Sequence, residues 1–342
     1  MNIECNANRR KGNYMDTEQF FLFNENTPSI KDCEVLDEED LSQFKAHVEY
    51  CRHIKEIYGL FFIFNIHLTR LLTEYHLYSN GRAFREGEEA LSIFDYYNIN
   101  AHTRSILSAG QTLKESMLSF AKNNFPEDSK ERTEYISTDR KIYDGSFAFS
   151  FLVRLRDYSQ HGHLPVTCNN GLYLFDLKVI SKKPHFNHNK NIKEKMDEAS
   201  SMLIRKYKEC PTIPLTTTLS EYVSNLLYLT NYFFTFFRQN FIESDQKYNQ
   251  IIQKYPNNSV EGAFVYDCDG ENIDIVSTED KSIDMFETYS KDVAQFFAHY
   301  SSEWTKMQTG AACFVILNGK RFENPLSKDY FASYENIEKS LN

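Results

Sequence analysis

The chain has 342 residues, 41% of them hydrophobic and 25% charged, which supports a folded body with a real core and excludes a disordered polymer. Its formal net charge of -10 argues against broad, charge-driven nucleic-acid binding, which needs many Lys and Arg contacts to phosphate, but leaves room for a small local basic site. Seven scattered cysteines, with no CxxC and no even framework, point to free thiols in a reducing compartment.

Residues 1–36 are polar and broken by Gly12, Asn13, Pro28 and Ser29, so a poorly ordered or docked N-terminal segment is expected, with "EQFFLF" able to add a short strand. The start of the chain lacks the apolar segment of a secretory signal. The longest apolar stretch, "YGLFFIFNIHL", is too short to span a bilayer and contains Asn65 and His67. The expectation is a cytoplasmic protein with no membrane contact. From Asp37 the pattern is helical. "LDEEDL" puts acids in a first turn, where the helix dipole favours them, and Leu41, Phe44, Val48, Cys51 and Ile54 recur at helical spacing. Gly59 is a candidate bend before the helix resumes and stops at "SNGR".

A second helical region covers "FREGEEALSIFDYYNI" and "NAHTRSILSAGQTLKESMLSFAKNNF", with Ile106, Leu107, Leu113, Met117, Leu118 and Phe120 on its apolar side. "PEDSKERTEYISTDRKIYDG" reads as a charged, partly helical connection. "SFAFSFLVRLRDYSQHG" is the next helix, capped by Ser146 or Asp144 and stopped at Gly162. "VTCNNGLYLFDLKVI" then reads as two short strands around an Asn-Asn-Gly turn. The loop "SKKPHFNHNKN" leads to a helix over "IKEKMDEASSMLIRKYKEC". A long helix follows in "LSEYVSNLLYLTNYFFTFFRQNFIESDQKYNQIIQKY". "AFVYDCDGENIDIV" reads as a hairpin, and "SIDMFETYSKDVAQFFAHYSSEWTKM" as a last helix. The fold class expected is mainly α, with one or two small β-hairpins. A helical region spans 37–165. A β-hairpin plus helical region spans 166–342, either continuous with the same body or separated near Ser181 to Asn191. The 28 Phe and 22 Tyr are first of all core-filling rings and second a sign of self-association.

Several motifs carry little. "HFNH" (His185, His188) has no Cys or acidic partner at metal-ligand spacing. "DCDGENID" lacks a calcium loop's third early ligand and terminal Glu, and reads better as an Asp-Gly turn. Cys168, near His161 and His163, is expected to be a buried or half-buried structural thiol rather than a nucleophile. No metal and no cofactor is expected.

The segment "RLRDYSQHGHLP" is the exception. It sets Arg154, Arg156, Asp157, Gln160, His161 and His163 at the end of an apolar helix. "RDYSQH" resembles the signature of the HEPN superfamily, helical-bundle proteins many of which are metal-independent endoribonucleases: Arg, a polar residue, and His after four to six intervening positions, on a late helix of a roughly four-helix bundle. Arg70 and His76 in "RLLTEYH" share the bare spacing, but Leu71 follows the arginine in an aromatic-rich helix, so that pair is read as structural. The resemblance covers about residues 85–165. It implies an RNA substrate, catalytic roles for Arg156 and His161 with Asp157 orienting the imidazole, and a homodimer joined through the motif-bearing helix. It also implies service as a toxin or anti-phage effector with a cognate antitoxin or defence-system partner. Arg154, Tyr158, Gln160 and His163 are the candidate substrate contacts, and Arg154 is a rival for the cationic role.

At about 100° per residue, Phe147, Phe151, Leu155 and Tyr158 share the core side of this helix. Asp157 and His161 lie with Arg154 and Ser150 on another. Arg156 is roughly 140° from His161 on the same wheel, so the two meet only if the helix unwinds near Gly162 or if two copies of the segment face each other. The alternative from a different class is a non-catalytic helical binding or scaffold protein that keeps the segment for folding, since Arg, Asp and His also serve ordinary helix ends.

Overall fold

The computed structural model describes residues 20–23, 37–82, 93–169, 172–187, 190–207, 212–254, 264–267, 283–307, 314–317 and 320–323. These are mainly helical. The helices are α1 (Glu38–Arg82), α2 (Ile93–Asn124), α3 (Lys130–Gly145), α4 (Phe147–Gln160), the short α5 (Leu177–Ile180) and α6 (Pro184–Asn187), α7 (Lys190–Tyr207), α8 (Leu215–Lys254) and α9 (Ile283–Met307). The strands are β1 (Phe20–Phe23), β2 (Thr167–Asn169), β3 (Leu172–Asp176), β4 (Thr212–Pro214), β5 (Phe264–Asp267), β6 (Phe314–Leu317) and β7 (Lys320–Glu323). Among the described residues no helix is long and apolar enough to cross a membrane.

The chain forms two units that interleave in sequence. One draws on Met1–Arg52 and Asn240–Met285, the other on His53–Gln239 and Phe286–Asn342. In the first unit Phe44 of α1 packs with Tyr248, Ile251 and Ile252 of α8, and His47 is buried against Tyr248, its rings 4.6 Å apart. Lys254 ties the end of α8 to Asp37 and Asp40 at 3.1 and 2.6 Å. The strand expected in "EQFFLF" is present as β1 and pairs antiparallel with β5, Phe20 opposite Asp267. The return strand expected after β5 lies outside the described residues.

In the second unit α4 is the central element, packed by α2, α3, α6 and α7. Its buried residues include Phe149, Phe151, Leu152, Leu155 and Tyr158. The aromatic surplus goes into this core: Phe120, Tyr135, Phe233 and Phe237 form one group of rings with centroids 5.0–5.8 Å apart, spacing that favours edge-to-face contact. Tyr222 of α8 stacks on Phe149. Gly110 of α2 makes room for the Tyr222 hydroxyl, which would lie 2.3 Å from a Cβ placed there.

Three expectations are corrected. Gly59 does not split α1, which runs through it and ends at Arg82, within the expected stop "SNGR"; a helix gains no break from one glycine when the flanking turns are packed. The charged connection, expected to be partly helical, is helical over Lys130–Gly145 as α3, capped by Ser129, whose side chain accepts from the Arg132 amide. It buries Tyr135, Thr138, Asp139 and Ile142. The strand read through "LYLFDLKVI" ends at Asp176, whose side chain caps α5 by accepting from the Val179 amide. Cys168 in β2 is exposed, because its strand is the edge of the three-stranded sheet β2-β3-β4. The hairpin β6–β7 was not anticipated, although Asn318-Gly319 between two short runs carries the turn signal.

Candidate functional site

Ser146 starts α4 by accepting the Phe149 amide on its hydroxyl oxygen, and the helix ends where His161 takes φ -85° and ψ 24°. Gly162 follows at φ +85°, the left-handed conformation that glycine adopts at helix ends without steric cost. The exit is fixed by the buried Asn100 of α2. Its carboxamide nitrogen donates to the Val166 carbonyl at 3.1 Å and its oxygen accepts the Val166 amide at 3.0 Å. The turn that carries His161 and His163 is thus held between a capped helix and a pinned strand entry. Nothing in the sequence singled out Asn100.

The outer side of α4 carries Arg154 and Asp157 and leads to Gln160 and His161, both exposed. Asp157 lies between two cations: Oδ1 is 3.3 Å from Arg156 Nη1 and Oδ2 is 4.0 Å from Arg154 Nη1. The carboxylate therefore holds the two arginines together. Arg154 Nε also donates to the Tyr143 hydroxyl of α3 at 3.2 Å. Arg156 is the less accessible of the two, its side chain 25% exposed against 41% for Arg154. In the amide orientation that satisfies both groups, Gln160 accepts from Arg156 Nε and Nη2 at 2.9 and 3.1 Å. Arg156 also exerts a favourable field on the buried Tyr222 hydroxyl, whose pKa burial pushes up and the guanidinium pulls back.

Tyr158 is buried and its ring stacks on His163 at 4.6 Å, with Phe186 on another side. Burial, then the nearby Tyr96, pushes its phenol pKa up. Together the two rings pack the helix end, with one face of His163 covered by Tyr158. Of the sequence candidates, Arg154, Arg156, Asp157 and Gln160 form one bonded group, His161 sits at its edge, and Tyr158 and His163 form a separate pair.

A groove opens beside this group, about 560 Å³ in volume and open along one side. Leu60, Ile63 and His67 of α1 form one wall, Arg104 and Ser108 of α2 another, and Ser159 and Gln160 close the end. Desolvation, then Arg70 and His102, lowers the His67 pKa, so four basic side chains gather on this side of the unit. Among the described residues no carboxylate lines the groove. No single stretch of sequence joins these groups, because His67 and Arg70 stand on α1 and His102 and Arg104 on α2. The available hint was His67 interrupting an apolar run, with Arg70 one turn later on the same face.

Among the described residues no three His, Cys, Asp or Glu side chains are placed to hold a metal ion. No family model matches the chain, and no curated protein or solved structure matches it.

Proposed function

We propose that the protein is a metal-independent endoribonuclease of HEPN type, acting as a homodimer and serving as a toxin or anti-phage effector. The observation that carries this reading is the grouping of Arg154, Arg156 and Asp157 beside His161 at the pinned end of the central helix of a helical body. RNA brings its own nucleophile, the 2′-hydroxyl. His161, an imidazole suited to proton transfer near neutral pH, removes that proton or protonates the leaving 5′-oxygen. The 2′-oxygen bonds to phosphorus as the bond from phosphorus to the 5′-oxygen breaks, giving a 2′,3′-cyclic phosphate and a 5′-hydroxyl. Arg156 and Arg154 face the growing phosphate charge with preset donors, and Asp157 acts by positioning the two guanidinium groups.

Support for self-association comes from α1, where Phe62 and Ile66 are 56% and 40% exposed. These two lie one turn apart on one face, and exposed apolar stripes of this kind mark contact surfaces. A two-fold contact near this end of the unit would set two copies of the motif against one another and bring Arg156 of one copy toward His161 of the other.

The test is cleavage of several RNAs by the full chain with a chelator present. Activity that is lost in both His161→Ala and Arg156→Ala, with folding and oligomeric state unchanged, supports the reading. A greater loss in Arg154→Ala than in Arg156→Ala transfers the cationic role to Arg154. The second reading, a non-catalytic helical binding or scaffold protein, is favoured by the bonding of Arg156 to Asp157 and Gln160 within its own helix. A well-folded dimer that cuts none of the RNAs decides for it.

A further inference from the structure

We propose that the groove between α1, α2 and the end of α4 binds single-stranded RNA, its phosphates on Arg104 and on Arg70, which stands one helical turn beyond the lining residue His67, and one base against Leu60 and Ile63. This rests on the ribonuclease reading and adds to it the path of the substrate.

The argument begins with charge. The chain carries 48 acidic and 38 basic Lys and Arg residues, so an acid-free groove with basic walls departs from the character of the rest of the protein. Arg104 lines the groove, and Arg70 and His102 are close enough to His67 to disfavour its protonation. Among the described residues neither Arg70 nor Arg104 has an ion-pair partner, a state they share with Arg132 and Arg140, but of these four only Arg104 lines the groove, and only Arg70 and Arg104 stand on the helices that wall it. Like charges gathered without a counterion raise one another's cost, and a bound polyanion removes it.

The shape and the chemistry of the remaining walls favour a single nucleic-acid strand over a small inorganic anion. Leu60, Ile63 and Ala101 supply an apolar surface for the face of a base. Ser108 and Ser159 add hydroxyl groups beside it. Proteins that bind single strands combine a positive track with such surfaces. The groove is open along one side, so a strand can lie in it without threading. Gln160 joins the groove to the motif, because it lines the one and accepts from Arg156 in the other. A strand seated on Arg104 therefore runs toward the arginines of α4.

The experiment uses the full chain and a fluorescein-labelled RNA of about 12 nucleotides, within the span of single-strand sites, methylated at every 2′-oxygen so that no internal nucleophile remains. Anisotropy gives Kd without cleavage. Arg104→Glu and, separately, Arg70→Glu are expected to raise Kd about tenfold or more and to flatten its dependence on salt. Lys130→Glu, on α3 with a side chain 82% exposed, makes the same change in net charge and is expected to leave Kd within about twofold. The proposal is overturned if both arginine variants bind as the wild type does, if Lys130→Glu weakens binding equally, or if the wild type does not bind. It is also overturned if an unlabelled RNA duplex of the same sequence competes better than the single strand. Binding that follows this pattern in a protein that cuts no RNA leaves the groove standing and removes the ribonuclease reading. Cleavage of unmodified RNA that Arg104→Glu and Arg70→Glu leave unchanged, with no effect on Kd, does the reverse.

Discussion

Glu221 offers a direct test of how the site-bearing helix is held. It is buried in α8 beside Tyr222, and the Ser146 hydroxyl that caps α4 donates to its Oε1 at 2.5 Å. Its other oxygen, Oε2, is buried without a hydrogen bond. Burial pushes the carboxyl pKa from 4.5 to about 8, and the Ser146 bond opposes that only in part. The acid is therefore neutral in the fold at pH 7 but ionised in the unfolded chain. The unfolded state binds fewer protons across this window, so stability is greatest below about pH 4.5 and falls as pH rises toward 8. A gap from 4.5 to about 8, at about 1.4 kcal/mol per pH unit, sets a ceiling of about 5 kcal/mol. Water entry and local relaxation at the ionised group reduce the observed loss below it.

Glu221→Gln keeps the shape and the contact to Ser146 and removes the ionisation. Urea unfolding followed by circular dichroism at half-unit steps from pH 5 to pH 9 gives the two stability curves. Every other titrating group cancels in their difference. The variant is expected to gain on the wild type by roughly 1 kcal/mol per pH unit between about pH 5 and 8, and the difference is expected to level above that. A difference that does not change with pH refutes the argument, because it means that Glu221 titrates alike in the folded and unfolded chains.

Three further substitutions probe the same unit. Gly110→Ala places a Cβ against the Tyr222 hydroxyl and 2.9 Å from Leu226 Cδ2, and is expected to cost about 1–3 kcal/mol despite alanine's better helix propensity; adding Tyr222→Phe should recover part of the loss in a double-mutant cycle. Lys114→Met removes the ammonium 3.0 Å from the Asp139 carboxylate, both side chains being about nine-tenths buried. Leaving that acid unpaired is expected to cost about 3 kcal/mol, with stability returning in Lys114→Met/Asp139→Leu when both are measured by chemical denaturation. Ser146→Ala removes the cap of α4 together with the partner of Glu221; it is expected to lower stability by about 1–2 kcal/mol and to slow any RNA cleavage along with it.

The elements that could be read from the sequence are those whose buried positions are apolar. Ile106, Leu107, Leu113, Met117 and Phe120 in α2, and Phe151, Leu155 and Tyr158 in α4, are all buried as their spacing requires. In α3 the inward positions are Tyr135, Thr138, Asp139 and Ile142, which follow helical spacing as well. Two of the four are polar, and Asp139 is tolerated inside only because Lys114 reaches it from α2. No pattern of apolar residues within α3 records a partner that comes from another helix. "LKVI" fails for a related reason. Its alternation is compatible with a strand, and the deciding feature is the Asp176 side chain, which offers the next turn an acceptor.

The candidate site divides along the same line. The wheel groups Arg154 and Asp157 on one side of α4, where both are partly exposed, but it also adds Ser150, which is buried. The partners of Asp157 are a matter of side-chain placement that the wheel does not record, and its carboxylate lies between Arg154 and Arg156. The groove lies further still from what a linear pattern can express. The Leu71 that follows Arg70 and the aromatic helix around it set Arg70 apart from the motif. Leu71 is indeed buried, and Arg70 beside it is exposed; helical rotation of about 100° per residue takes it off the core and onto the side of His67. The arginine of that structural pair thus stands one turn from His67, which lines the neighbouring groove. The substitution Arg70→Glu tests that position without disturbing a single core contact.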